Sequence, residues 1–240
     1  AEMVTEGWGS AENDNKLIDD GVAHDTALDL LEIKAGLEPE EGKTSVTNAQ
    51  IYEAIAAADM TEAERYDAIG AVLGLDSKGY DKMRVVQDTG LRAADYAALR
   101  GAEQEDQYLD AVELGMAANT AYAVVSAVAA PPKLPEGERY THAQRQAAAC
   151  GACKSTAEQI DAYILYGNAT YKTAEKAKLT VAAENYGVTP KMVLEFKELL
   201  ARHDANGNGS YDKAEKKAAL EASGFTREQK RALWQLHDPD

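Results

Sequence analysis

Apolar residues recur along this chain at helical spacing, and no window sustains the strict alternation with β-branched residues that marks a strand. Stretch 91–113 is typical: Tyr96, Leu99, Tyr108 and Val112 are available for one buried face. The pattern predicts an all-α protein of about ten helices with little or no sheet. Self-comparison sharpens it. Gly21-Val-Ala-His-Asp-Thr-Ala-Leu echoes Gly115-Met-Ala-Ala-Asn-Thr-Ala-Tyr and Gly187-Val-Thr-Pro-Lys-Met-Val-Leu. Further on, Thr47-Asn-Ala-Gln50 matches Thr141-His-Ala-Gln144 and Asp212-Lys-Ala-Glu215. Later still, Thr61-Glu-Ala-Glu64 matches Ser155-Thr-Ala-Glu158 and Thr226-Arg-Glu-Gln229, and Asp67-Ala68 recurs as Asp161-Ala162. Three degenerate repeats follow, near 21–74, 115–167 and 187–237.

The recurring tetrads have a physical reason. Thr, Ser or Asp followed three residues later by Gln or Glu is a capping box, in which each side chain satisfies a free amide of the first turn. Each repeat therefore reads as three helices: A after the Gly-hydrophobic pair, B from the first box, C from the second. Bridging helices are expected near 78–88 and 170–185. The domain boundaries expected from this are a loose arm over 1–18 anchored by Trp8, repeat 1 with linking helices over 19–114, repeat 2 over 115–186 and repeat 3 over 187–240.

Composition adds limits. The 240 residues are enough to bury a real core, and few aromatics (7%) with six prolines favour helix. A net charge of −16 repels phosphate backbones and anionic bilayers, so nucleic acid and membrane insertion are not expected partners. The most apolar run, Ala121 to Ala130, is too short to span a bilayer and reads as a buried helix.

One connection stands apart. Between helices A and B of repeat 3 lies Asp204-Ala-Asn-Gly-Asn-Gly-Ser-Tyr-Asp-Lys-Ala-Glu215. Oxygen-bearing side chains fall at positions 1, 3 and 5 (Asp204, Asn206, Asn208), and Gly209 stands at position 6, where a sharp turn demands a positive φ. This spacing resembles the calcium-binding loop of the EF-hand. The resemblance implies a Ca²⁺ site in which Ser210 offers its carbonyl, Asp212 acts directly or through a water, and Glu215 closes the shell with both oxygens. With three carboxylates in the set, affinity is expected at roughly 10⁻⁶ to 10⁻³ M. Phe196, Leu199 and Leu200 before the loop, and Ala219 and Leu220 after it, stand where EF-hands bury apolar residues. His203, Tyr211 and Lys216 depart from that pattern, so the flanking helices are expected to cross differently from those of a paired hand. Repeats 1 and 2 carry loops without these donors, over 37–45 and 131–139.

Other chemistry is sparse. Cys150-Gly-Ala-Cys153 has no second cysteine pair to complete a zinc site and no βαβ context for redox work, so it reads as packing. The four histidines (His24, His142, His203, His237) make no metal-ligand spacing, and no nucleophile elbow, phosphate loop or zinc-protease motif occurs. No catalytic residue is assigned.

The expectation is a non-enzymatic helical module, stabilised by calcium, that contacts a protein partner or the rest of a larger polypeptide. The Gly-hydrophobic helix starts, the Asn-Gly loop and the Thr-capped helices are similar to helical repeat segments of large bacteriophage and mobile-element proteins of gut bacteria, which implies a virion-associated parent. Two rivals remain open at this point: a calcium sensor that exposes a groove, and an enzyme with calcium as scaffold.

Overall fold

The computed structural model describes residues 22–99, 102–129, 140–167, 172–205 and 207–237. The expected arm with Trp8, the repeat 2 loop and Asn206 lie outside them. Among the described residues there are thirteen helices and no strand. They are α1 His24–Ala35, α2 Asn48–Ala57, α3 Glu62–Leu73, α4 Ser77–Asp88, α5 Ala93–Ala98, α6 Ala102–Glu113, α7 Ala118–Ala129, α8 His142–Gly151, α9 Thr156–Leu165, α10 Lys172–Tyr186, α11 Pro190–Arg202, α12 Lys213–Ala222 and α13 Arg227–His237. The fold is all-α, as the periodicity predicts. The count exceeds ten partly because the stretch 91–113 forms two helices, α5 and α6. No helix among the described residues is long and apolar enough to cross a membrane.

Helices B and C of every repeat start at the predicted boxes. Reciprocal bonds between the cap and its third helical residue join Thr47 with Gln50, Thr61 with Glu64, Thr141 with Gln144, Ser155 with Glu158, Asp212 with Glu215 and Thr226 with Gln229. Each cap of this kind contributes about 1 kcal/mol. At Gly90, Gly115 and Gly187 the Gly-hydrophobic pair ends the preceding helix as well as opening the next. Gly115 takes φ +99°, and the Met116 N–H reaches back to the Ala111 carbonyl at 3.1 Å, a Schellman closure. The pair's apolar member is then buried, as Val22, Leu91, Met116 and Val188 all are.

The chain divides into two compact units, 1–105 and 106–240. In the first, Leu30, Ile51, Ile55, Tyr66, Ile69, Met83 and Val86 form the interior. Tyr66 donates to the Leu91 carbonyl at 2.8 Å, and its ring lies 5.3 Å from that of Tyr96. Helix α4 lies close on α3: a Cβ at Gly70 would sit 2.7 Å from Cε1 of Tyr80. Beside it, Arg84 of α4 pairs with Asp67 of α3 at 2.7 Å.

In the second unit, repeats 2 and 3 share one core built on Ile160, Tyr163, Ile164, Leu179, Val188, Phe196, Leu200, Ala219 and Leu233. Helix α7 buries Ala121, Val124 and Val125, as expected of that apolar run. The repeat also explains an ion pair. Asp161 of α9, the counterpart of Asp67, pairs with Lys176 of the bridging helix α10 at 2.5 Å. Thus in repeats 1 and 2 helix C carries an acid, and the bridging helix laid over it carries the cation.

Candidate metal centre

The loop 204–215 is held at its start by α11 and at its end by α12. Helix α11 begins with the Thr189 cap and Pro190 and buries Val193, Leu194, Phe196 and Leu200. Helix α12 buries Ala219 and Leu220. The apolar positions carried over from the EF-hand pattern therefore do pack, with Leu199 and Tyr211 half-buried against the same core.

Within the loop the backbone turns as predicted. Gly209 has φ +72° and Gly207 +66°, conformations that a side chain would strain. Asp204 at position 1 accepts from the N–H of Gly207 at 2.8 Å with one oxygen and from that of Gly209 at 2.9 Å with the other. Asn208 accepts from Ser210 N–H at 2.7 Å. Asp212 caps α12, one oxygen accepting from the N–H groups of Ala214 and Glu215 at 2.7 and 2.8 Å. Glu215 accepts from Ala205 N–H with Oε1 and from Asp212 N–H with Oε2, both at 2.9 Å, and so ties the two ends of the loop together.

Glu215 is the unusual member. It is only 6% exposed, yet among the described residues no cationic side chain pairs with it; its partners are two backbone amides. A buried carboxylate without a counter-charge is costly unless dipoles or a cation compensate it. Each of its oxygens retains a second acceptor site. Asp204, Asn208 and Glu215 all spend their oxygens on loop amides. Among the described residues no three His, Cys, Asp or Glu side chains are gathered closely enough to hold a metal by themselves. Such a loop would need its amides, carbonyl and water ligands as much as its acids. The donor set, all oxygen and carrying three carboxylates, fits a hard divalent cation.

The departures from the EF-hand pattern have local reasons. Lys216 lies with its ammonium 5.9 Å from the Trp234 ring centre on α13, a cation–π contact in place of the apolar contact usual there. His203 ends α11, its N–H shared between the carbonyls of Leu199 and Leu200.

Cys150 is buried, Cys153 is half-buried and both are free thiols. They donate to the carbonyls of Gln159 and Ala149 at 3.4 Å. Burial pushes Cys150 up to about 12, with Cys153 adding to it. Burial, then the charges of Glu158 and Asp161, pushes Cys153 up to about 11. Neither is a ready thiolate at neutral pH, which suits packing rather than redox or metal chemistry. Comparison with protein-family models, curated proteins and solved structures finds no match for the chain. Sequence reasoning missed the open, basic face around Trp234, although Lys230 and Arg231 stand where repeats 1 and 2 have Arg65-Tyr66 and Gln159-Ile160.

Proposed function

We propose that this chain is a non-enzymatic helical interaction module whose third repeat is stiffened by a calcium ion in the loop 204–215. The observation that carries the reading is Glu215, a buried carboxylate with both oxygens turned to the loop backbone and, among the described residues, no cationic side chain paired with it. Asp204, Asn206 and Asn208 would supply side-chain oxygens, Ser210 a carbonyl, Asp212 a direct or water-mediated contact and Glu215 the closing carboxylate. The ion would neutralise Glu215 and fix α11 against α12. Its role would be structural: it would join two helices that are each capped and packed by their own residues. Membership of a larger, virion-associated polypeptide is part of this proposal and rests on the resemblance stated above.

The test is calorimetry and thermal unfolding in calcium, magnesium and chelator, beside Glu215→Gln. One calcium per chain is expected. At about 100 times the dissociation constant it stabilises by about 2.7 kcal/mol, which raises the melting point by about 5–10 °C. The variant should lose both effects and keep its helicity. No binding at millimolar calcium overturns the metal reading, and a large calcium-dependent gain in hydrophobic dye binding replaces the structural role with a sensor.

A further inference from the structure

The three C helices can be compared position by position from their caps, Thr61, Ser155 and Thr226. Five residues on stand Tyr66 and Ile160, both buried, and then Arg231, exposed. Eight residues on stand Ile69 and Tyr163, both buried, and then Trp234, half-exposed. The positions six and nine residues on meet the bridging helix. Asp67 and Gly70 lie against Arg84 and Tyr80 of α4, and Asp161 against Lys176 of α10. Their counterparts in α13 are Ala232, which is buried, and Gln235, which is exposed; both line a groove of about 390 Å³ that α13 forms with α10, beside Val181, Tyr186 and Leu236. Gln235 also lines a second hollow of about 490 Å³, floored by Leu220 and Trp234 and ringed by Lys217, Lys230 and Arg231. The two hollows therefore meet at Gln235.

The charge here opposes that of the whole chain, which has 41 acids against 25 Lys and Arg. The two hollows are lined by Lys178, Lys217, Lys230 and Arg231 and by a single acid, Glu221. Glu221 is held by Lys217 at 3.6 Å. Lys178, Lys230 and Arg231 form no ion pair among the described residues. The exposed Glu228 on α13 offsets part of this charge but lines neither hollow.

We infer that this face docks an acidic amphipathic helix of a partner protein, seated in the groove between α10 and α13. In repeats 1 and 2 helix C supplies the acid and the covering helix the cation. In repeat 3 the acid's position is Ala232, and the cations at this face are Lys178, Lys230 and Arg231, so a docked helix matches it with acids. Apolar residues at helical spacing fill the Val181–Tyr186–Leu236 groove, and carboxylates on the flank meet Lys230 and Arg231. The apolar groove gives a phosphate backbone nothing to bury against Val181, Tyr186 and Leu236. The inference rests on the interaction-module reading but not on the metal.

The test uses the full chain and a fluorescein-labelled helical peptide of about 16 residues, with leucines at i, i+3, i+4 and i+7 and glutamates between. Anisotropy is read in calcium and in chelator. The peptide should bind, and a scrambled peptide of equal composition should bind about tenfold more weakly or worse. Lys230→Glu with Arg231→Glu, and separately the exposed Val181→Asp, should each lower affinity about tenfold at unchanged melting point, whereas Lys78→Glu in the first unit should not. Binding in chelator sustains the inference even where calcium fails to bind. Equal binding of the scrambled peptide, survival in both groove variants, or tighter binding of oligothymidylate or phosphatidylserine vesicles overturns it. So does sedimentation showing that the chain alone dimerises through these residues, since a second copy then fills the groove.

Discussion

Repeat 1 and repeat 3 solve one problem with different chemistry. In both, the third residue of helix B must satisfy the cap amide and anchor the incoming A–B loop. In repeat 1, Gln50 accepts from Thr47 N–H at 3.0 Å and donates to the Glu38 carbonyl at 3.0 Å. An amide donates and accepts, so that closure is neutral. In repeat 3, Glu215 can only accept, and its loop partner is accordingly an N–H, that of Ala205. The same closure then leaves a buried negative charge. The C helices show the opposite choice: repeats 1 and 2 cap them with Glu64 and Glu158, repeat 3 with Gln229. The carboxylate has moved from an exposed cap to the one cap that adjoins the loop, which is where a cation would be needed. A second difference follows the same line: Gly70 of α3 is closed over by α4, whereas its counterpart Gln235 on α13 is exposed and shares a hollow with Lys230 and Arg231.

The covered face gives the largest expected effect. Gly70→Ala would bring a Cβ to 2.7 Å from Tyr80 Cε1 and 3.1 Å from Met83 Sδ. Overpacking of that kind costs about 1–3 kcal/mol, and about 1 is returned by alanine's better helix propensity. A net loss of up to about 2 kcal/mol is expected in urea unfolding. Gln235→Ala, at the matching position on the open face, should stay within about 0.5 kcal/mol. Equal losses at the two sites would break the comparison, because they would mean that α13 is covered as α3 is.

Much of this was legible in the sequence, and the residues say why. The boxes at Thr47, Thr61, Thr141, Ser155, Asp212 and Thr226 are local: a side chain and an amide three residues apart, so spacing alone predicts them. The turn at Gly209 is local too. The Asp67–Arg84 and Asp161–Lys176 pairs were visible only as half of a pattern, because the acids recur in the alignment and their cations do not share a spacing. The open face of α13 could not be read at all. Arg231 and Trp234 look like ordinary members of an amphipathic helix until it is known that their counterparts Tyr66 and Ile69 are buried. Whether a helix is covered depends on what packs over it, and no local pattern carries that.

The loop closures offer a second, smaller contrast. Gln50→Glu would copy repeat 3 into repeat 1. It would set a carboxylate against the Glu38 carbonyl, which needs a donor, and forfeit that bond. A loss of about 1 kcal/mol is expected for this partly exposed site. Calcium should not restore it, since the loop 37–45 lacks the donor spacing of 204–215. Thermal unfolding of the variant with and without calcium reads both statements. A calcium-dependent rescue would show that one glutamate at the cap suffices and that the donors at Asp204, Asn206 and Asn208 are incidental.

The smallest effect belongs to the exposed caps. Glu64 sits below its ordinary value of 4.5 because the side-chain and backbone bonds of Thr61 favour its charged form. Glu158 is lowered likewise, first by the Ser155 backbone and then by Thr120. A lowered folded value means that the unfolded chain takes up protons first as pH falls. The caps' contribution is therefore complete above the ordinary carboxylate value and disappears as pH drops through the lowered one. Gln50 and Gln144 cannot titrate, so acid should loosen α3 and α9 at their first turns while α2 and α8 keep theirs. Melting points between about pH 6 and about pH 3 should fall less steeply for the double variant Glu64→Gln, Glu158→Gln than for the parent chain. Parallel slopes would mean that these bonds are no stronger folded than unfolded. The choice between Gln and Glu at a cap would then matter only beside the loop, where Glu215 is buried and the charge has no water to soften it.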